Sequence, residues 1–359
     1  ALLSRQEFLT SYTPYQPEIA QGTLSYIFEY QSMVTMLTGM DVSNASMYDG
    51  PTAAAEACFM ANSMTKRNKI LVSAAVNPNI AEVVLTYAHF RGLDVAFVPV
   101  SAGETSLSDL KDLLDETVAG VIVQKPNYFG VIETFAGVAD AIHANGAVMI
   151  ESCDISTLAV LKTPAADGAD IACGDCQALG MPLAFGGPYL GYLATKKPHV
   201  RRMPGRIVGQ SFDKNGKRAF VLTLQAREQH IRREKANSNI CSNQSLMALY
   251  ATIYLSLMGP EGMKQVNALS YQNAHKLYDL LIATGTFTPV FDKPFLKEFV
   301  LHTSLDQTLI QQALADHGFF GAVSLGDYDE AYKDVVNFAV TEKRTQEEIE
   351  RFAAVLGGL

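Results

Sequence analysis

Four short runs in this sequence hold residues whose types and order can do chemistry. Tyr48-Asp49-Gly50-Pro51-Thr52 opens an alanine-rich stretch with helical character. Asp49, Gly50 and Thr52 can cap that helix, and the free N–H groups of its first turn can face a phosphate. The same residues serve equally as an ordinary helix cap. Ala147-Val-Met-Ile150 ends in Glu151-Ser152-Cys153-Asp154, which puts two acids at the end of a strand. Asp175-Cys176-Gln177-Ala178 closes the next apolar run. Arg227-Glu-Gln-His230-Ile-Arg232-Arg233-Glu-Lys235 gathers cationic and titratable groups that can meet carboxylates. That last run also reads as a solvated helix face paired with Glu228 and Glu234, and His230 alone is more often a structural hydrogen-bonder than a general base.

These runs need elements to position them. Residues 1–42 are rich in Tyr, Pro and Gln and pass into a helical pattern from Gln21 to about Leu37, which reads as an arm lying on something larger. Tyr12, Tyr15 and Gln16 on it can reach a neighbouring site or simply pack, and packing is the preferred reading. From Ser43 short apolar runs alternate with helical patterns. Strands are expected at 69–73, 95–100, 118–124, 147–150, 169–173 and 191–195, and helices at 52–64, 79–91, 106–114 and 132–145. That rhythm implies a mostly parallel sheet covered on both faces. A polar, basic stretch from Lys196 to Lys235 interrupts it. Helices at 245–258 and 263–285 follow, separated by Gly259-Pro260-Glu261-Gly262. Strands near 288–290, 299–303 and 335–339 then mix with helices at 305–317 and 345–356. The expected division is an arm over 1–42, a large α/β domain over 43–265 and a small α+β domain over 266–359.

With 359 residues, 48% of them hydrophobic, a large packed core is feasible without staples. A formal charge of −9 disfavours a general grip on nucleic acid. No apolar run approaches the ~20 residues of a membrane span, and Ala1-Leu2-Leu3-Ser4-Arg5 shows no signal-peptide pattern. Five scattered cysteines argue against a disulfide framework and suit a reducing cytoplasm. Cys173 and Cys176 form a C-x-x-C pair with neither a second pair nor suitably spaced His, so no metal site is expected. They read as small apolar fillers at a strand end. No G-x-G-x-x-G follows a strand, and Gly209…Gly216-Lys217 lacks the spacing of a P-loop. Gly186-Gly187-Pro188-Tyr189-Leu190-Gly191 runs into a strand, which suits a hairpin or tight turn.

The order of these parts matches the plan of a fold-type-I (aspartate aminotransferase-like) pyridoxal-phosphate enzyme. Such an enzyme holds the phosphate at a helix N-terminus, sets an acid under the pyridine nitrogen and supplies a Schiff-base lysine later in the chain. The lysine should lie near Asp175-Cys176-Gln177-Ala178, and no lysine is there. Lys162 comes too early, and Lys196-Lys197 lie beyond the Gly-Gly-Pro turn.

At the longer motifs the resemblance becomes specific. Arg227–Lys235, Ser238-Asn-Ile-Cys-Ser-Asn-Gln244, Tyr12–Gly22, Asn44–Gly50, Gln124–Gly130 and Met203-Pro-Gly-Arg-Ile-Val-Gly209 resemble the glycine cleavage system P-protein family over essentially the whole chain. The detailed match is to subunit 1, the alpha half of the two-subunit form, in which subunit 2 carries the lysine. In subunit 2 the lysine precedes a proline and then a glycine-rich turn ending in proline. Matching these to Pro182 and Gly186-Gly187-Pro188 puts Gln177 at the lysine position. Family members carry a longer region before the Leu3-Ser4-Arg5 segment, so this sequence begins inside it.

The resemblance implies glycine decarboxylation and aminomethyl transfer to the lipoyl group of H-protein. It implies pyridoxal phosphate held by subunit 2 of a heterotetramer, with none held covalently here. No catalytic residue is expected in this chain, and Asp49, Gly50, Thr52, Glu151, Asp154 and Gln177 would line a degenerate pocket. Tyr12, Tyr15, Gln16, Arg227, His230, Arg232 and Arg233 are the candidates for a shared site or interface. Two alternatives stand beside this reading: an autonomous pyridoxal-phosphate enzyme with a displaced lysine, and a non-catalytic scaffold or regulator.

Overall fold

Short β-branched runs alternating with helices build a seven-stranded sheet in the computed structural model, which describes residues 1–359. Its strands are β1 (Val42–Ser43), β2 (Lys69–Ser73), β3 (Asp94–Val98), β4 (Val118–Lys125), β5 (Val148–Cys153), β6 (Ile171–Asp175) and β7 (Gly191–Thr195), in the order β1-β7-β6-β5-β4-β2-β3. β2 pairs parallel with β3 and β4, and β5 pairs parallel with β6, whereas β7 runs antiparallel to both β6 and β1. The central strands are buried along nearly their whole length, as expected where both faces of a sheet are covered.

The chain divides into two compact units. One holds Ala1–Pro99, Thr105–Gln124 and Thr134–Gly259; the other holds Val100–Glu104, Lys125–Glu133 and Pro260–Leu359. The expected break at 265/266 thus moves to Gly259–Pro260. There the long helix Ser245–Ala283 is interrupted, because Gly259 takes φ 59°, ψ −177° and Pro260 has no N–H to donate. The arm belongs to the first unit, and two stretches of the expected large domain belong to the second.

Within the first unit, α1 (Gln21–Thr38) carries the arm onto a hairpin, β8 (Ile207–Phe212) and β9 (Arg218–Thr223). Two glutamines make the join. The Gln21 amide donates to the Phe220 carbonyl at 2.9 Å and accepts from its N–H at 2.8 Å. Gln31 does the same to Val208, at 2.9 Å each way. This hairpin lies inside the basic stretch that interrupted the sequence pattern, with Asn215-Gly216 at its turn.

α2 (Gly50–Thr65) is the central helix of this unit. Pro51 sits at its first turn and Asp49 caps it, while Ala53, Ala54, Ala55, Ala57 and Ala61 are buried. Small side chains on several faces let it pack closely against β5, β6 and β7 and against α3 (Pro78–Arg91). The helix expected over 132–145 is shorter, Val138–Asn145, because Phe135 (φ 51°) and Gly137 (φ 74°) take left-handed backbone just before it.

The second unit has its own core. Strands β10 (Phe287–Pro289), β11 (Glu298–Thr303), β12 (Val323–Ser324) and β13 (Val335–Ala339) form an antiparallel sheet in the order β10-β11-β13-β12. Ala274, Leu277 and Leu281 of the long helix join Phe287, Phe299, Leu301 and Phe338 of the sheet in one buried cluster, with Ile310, Leu314, Ile349 and Leu356 from the two later helices.

Candidate functional site: a closed helix end at the tips of the sheet

The carboxyl ends of β5 and β6 and the start of α2 meet, as the fold requires of a crevice in an open α/β sheet. Gly50 is pressed against β6: a Cβ there would lie 3.1 Å from the Asp175 nitrogen and 3.2 Å from the Gly174 carbonyl carbon. Gly191 is tighter, since a Cβ would come within 2.2 Å of the Asp49 oxygen. The backbone at the helix start is thus wedged between β6 and β7.

At that helix end the chain's own acids take the place of a bound anion. Asp49 Oδ1 accepts the Thr52 N–H at 2.8 Å and the Thr52 hydroxyl at 2.7 Å. Asp175 Oδ1 accepts the Gln177 N–H at 2.5 Å. Burial pushes the Asp175 carboxyl up to about 6, against the N–H groups of Gln177 and Gly50, which hold it down, while the charges of Asp49 and Asp154 raise it further. Asp154 caps the next short turn, accepting the Ser156 N–H at 2.9 Å and its hydroxyl at 2.7 Å. Glu151 lies within β5, fully buried.

Gln177 follows β6 and its side-chain amide donates to the Pro182 carbonyl at 3.3 Å. None of the three lysines weighed as substitutes is near it, and Lys197 adjoins Lys196, its N–H donating to Asp41 at 2.8 Å. Lys196 is bound to Asp170 at 3.0 Å, just before β6, and Thr195 pairs with Ile171 at the start of that strand. Gln177 lies past the strand's other end, on the order of 15 Å away at ~3.3 Å per residue. Lys162 pairs with Asp167 at 3.0 Å.

The fit of pyridoxal phosphate to these residues is therefore poor. A phosphate of nearly two negative charges would face Asp49 and Asp175, and the amide donors that should receive it already serve carboxylates, whereas Asp154, at the end of β5, stands where an acid under the pyridine nitrogen is expected. No amine stands at 177 to hold the aldehyde. Cys173 and Cys176 are fully buried and free, with burial pushing the Cys173 thiol up to about 12, so they act as fillers.

The structure separates the candidates on the arm and the basic run. Tyr15 is buried, its hydroxyl donating to Asn243 Oδ1 at 2.5 Å and its ring lying 4.4 Å from the Arg206 guanidinium. Burial pushes that phenol up to about 12. Tyr12 and Gln16 are exposed, with Tyr12 edge-on to Tyr15. The run 225–235 is a series of short turns, not one helix face. Arg227 is held by the backbone: its guanidinium donates to the carbonyls of Leu224 (3.1 Å), Gly205 (3.0 Å) and Met203. Glu228 is buried and pairs with Arg206 at 2.7 Å, while His230 approaches the same carboxylate at 3.5 Å from an exposed position. Arg232 and Arg233 are exposed.

Sequence reasoning passed over Asp175 as an acid of the site and Arg206 as the partner of Glu228. A strand-terminal Asp one residue before Cys-Gln was the available signal for the first. Nothing local marked the second, because Arg206 and Glu228 lie on either side of the hairpin.

Comparisons with known proteins identify the family. The chain matches the family described as glycine cleavage system P-protein over residues 1–356. A protein of Moorella thermoacetica named probable glycine dehydrogenase (decarboxylating) subunit 1 is 52% identical over 358 residues, covering 100% of this chain and 81% of that protein. One of the same name from Geobacillus kaustophilus is 49% identical over 357 residues, covering 99% of this chain and 79% of that one. A crystal structure of glycine decarboxylase (P-protein) of the glycine cleavage system, in inhibitor-bound form, superimposes with a TM-score of 0.94 at 44% identity, over 99% of this chain and 80% of that one. An alanine–glyoxylate aminotransferase from Nostoc sp. shares the fold alone, with a TM-score of 0.67 at 15% identity over 96% of this chain and 89% of that one. The architecture is that of the fold-type-I pyridoxal-phosphate enzymes, and the chain belongs to the glycine cleavage system P-protein family.

Proposed function

We propose that this chain is subunit 1 of a glycine dehydrogenase (decarboxylating), working with a lysine-bearing subunit 2 in a heterotetramer. Glycine would lose carbon dioxide there, and its aminomethyl group would pass to the lipoyl group of H-protein. Pyridoxal phosphate, which supplies the electron sink for that reaction, belongs in this reading to the partner subunit. The carrying observation is the start of α2, closed by Asp49 and flanked by Asp175, with Gln177 where the amine would stand. The names of the relatives, which are subunit 1 proteins, support the same division of labour.

This chain's own contribution would be a rigid frame and a surface. Arg227 and Tyr15, committed to internal hydrogen bonds, hold the frame. Tyr12, Gln16, His230, Arg232 and Arg233 are exposed and remain the candidates for contact with the partner or its ligands. The turn after Gln177 adds an apolar tip, with Leu183 82% and Phe185 110% exposed, a feature that suits burial against another chain. No helix is long and apolar enough to cross a membrane, and five free cysteines suit the cytoplasm.

Co-expression with a lysine-bearing subunit tests this reading. The isolated chain should release no carbon dioxide from glycine and show no visible cofactor absorbance, and the purified pair should do both. Decarboxylation by the chain alone, or a stable pair that stays inactive with cofactor and H-protein supplied, would sink it.

A further inference from the structure

The basic run has a second consequence, at the opposite end of α2 from the closed pocket. Arg201, Arg202, Arg227, Arg232 and Lys235 surround a cavity of about 470 Å³ whose wall is completed by apolar Leu224 and its neighbours. Its place follows from its anchors. Arg202 donates to the Ser63 hydroxyl at 3.0 Å, in the last turn of α2, whereas the pocket of acids lies at Gly50 in the first. Thirteen residues of helix separate the two, about 20 Å at ~1.5 Å per residue. Arg91, the last residue of α3, donates to the Asn237 carbonyl on the cavity's rim at 2.7 Å, so the amino ends of the parallel strands face it.

The charge distribution is unusual for a chain whose net charge is −9. Five cations line one hollow, and only Arg227 feels a nearby carboxylate, the charge of the buried Glu228, which is itself paired with Arg206. Two are fixed. Arg227 is tied to its three carbonyls, and Arg202 to Ser63. Arg201, Arg232 and Lys235 stand at the exposed rim. Like charges held together raise the energy of the folded chain, and a multiply charged anion that neutralises them lowers it. Arginine forks match phosphate oxygens in pairs, and a hollow of this volume takes a small molecule rather than a length of extended chain.

We propose that this cavity is a binding site for a small phosphate ester or pyrophosphate, with the organic part of an ester resting against Leu224. The proposal does not rest on the decarboxylation assigned above, and it gives Arg232, weighed there as a contact residue, a small anion as its ligand.

Isothermal titration of the full chain with inorganic pyrophosphate and with ADP, at fixed ionic strength, tests it. Saturable one-to-one binding is expected. It should weaken by at least about tenfold in R201Q/R232Q, given two lost charge-assisted contacts, and stay unchanged in K214Q/K217Q on the hairpin turn. Tighter binding of ADP than of pyrophosphate assigns the ligand an organic moiety; equal binding assigns the diphosphate alone, and either supports the site. Absence of saturable binding for both probes overturns it, as does equal weakening in the two double variants, which would mark diffuse surface attraction. Tighter binding of an oligoglutamate than of either probe would also overturn it, in favour of an acidic protein segment. Matched thermal unfolding of R201Q/R232Q and the parent chain separates loss of the site from loss of the fold.

Discussion

The Asp49 carboxylate accepts both the backbone N–H and the hydroxyl of Thr52, at 2.8 and 2.7 Å. This capping box does more than start α2. It fills the end of the helix with negative charge where a fold-type-I cofactor enzyme receives a phosphate, so the poor fit of these residues to pyridoxal phosphate does not rest on Gln177 alone.

Restoring the amine alone should therefore fail. Q177K is expected to fold and yet take up no pyridoxal phosphate, read as absence of visible absorbance and of borohydride-trapped cofactor, because Asp49 and Asp175 still oppose the phosphate. Stoichiometric uptake by Q177K would show that the acids yield, and that the lysine was the whole difference.

Glu56 should make stability depend on pH. It is buried on α2, and burial pushes its carboxyl up to about 7 from 4.5, against the Ser238 hydrogen bond and the charge of Arg91. A raised folded pKa means the folded state holds the proton longer than the unfolded one. Its contribution is complete below about 4.5 and is lost as pH rises through about 7. Relative to the parent, E56Q should gain on the order of 3 kcal/mol between those limits, at ~1.4 kcal/mol per unit. Denaturant titrations of both chains across that window check it; parallel stability curves would contradict it.

The Arg206–Glu228 pair should be costly to break from one side. Both side chains are nearly buried, 10% and 5% exposed, and joined at 2.7 Å. R206M leaves the carboxylate without its ion-pair partner and removes the cation over the Tyr15 ring, for a loss of about 3 kcal/mol. R206M/E228L should recover part of that loss, since the stranded charge is gone. Guanidinium unfolding of the parent and both variants decides it, and a double variant no more stable than R206M would count against this account.

Gly191 should tolerate no side chain. A methyl there meets the Asp49 oxygen at 2.2 Å and the Met47 Cβ at 2.8 Å, where the Met47–Gly191 bridge binds the start of α2 to β7. G191A is expected to lower stability by at least about 3 kcal/mol and to reduce soluble yield. A parent-like melting temperature would show that the wedge can open.

Much of the architecture was legible from residue order. β2 and β7 fall where their apolar runs predicted, and the Gly259-Pro260 punctuation marked the interruption of the long helix, because backbone restrictions of these two residues act locally; the units divide there too, not at the expected 265/266. The β8–β9 hairpin does not follow from the expectations despite Asn215-Gly216, because its short half-exposed strands lie inside a stretch whose basic residues mask their apolar runs, and Gln21 and Gln31, which fasten it, are far away in sequence.

The same divide runs through the site. The absence of lysine near the end of β6, the motif resemblance and the acid-rich start of α2 are properties of residue identity and order, so the primary structure led to the family and to its subunit 1. Folding alone could bring Asp49, Asp154 and Asp175 to one helix end, because they come from three separated strand–helix junctions. It also sorted the cations that the sequence grouped together: Arg227 went inward because Met203, Gly205 and Leu224 converge on it, while Arg232 and Lys235 joined Arg201 and Arg202 from the segment after β7. Charge type is written in the chain, but which charges meet, and whether burial or solvent surrounds them, depends on contacts between residues distant along it.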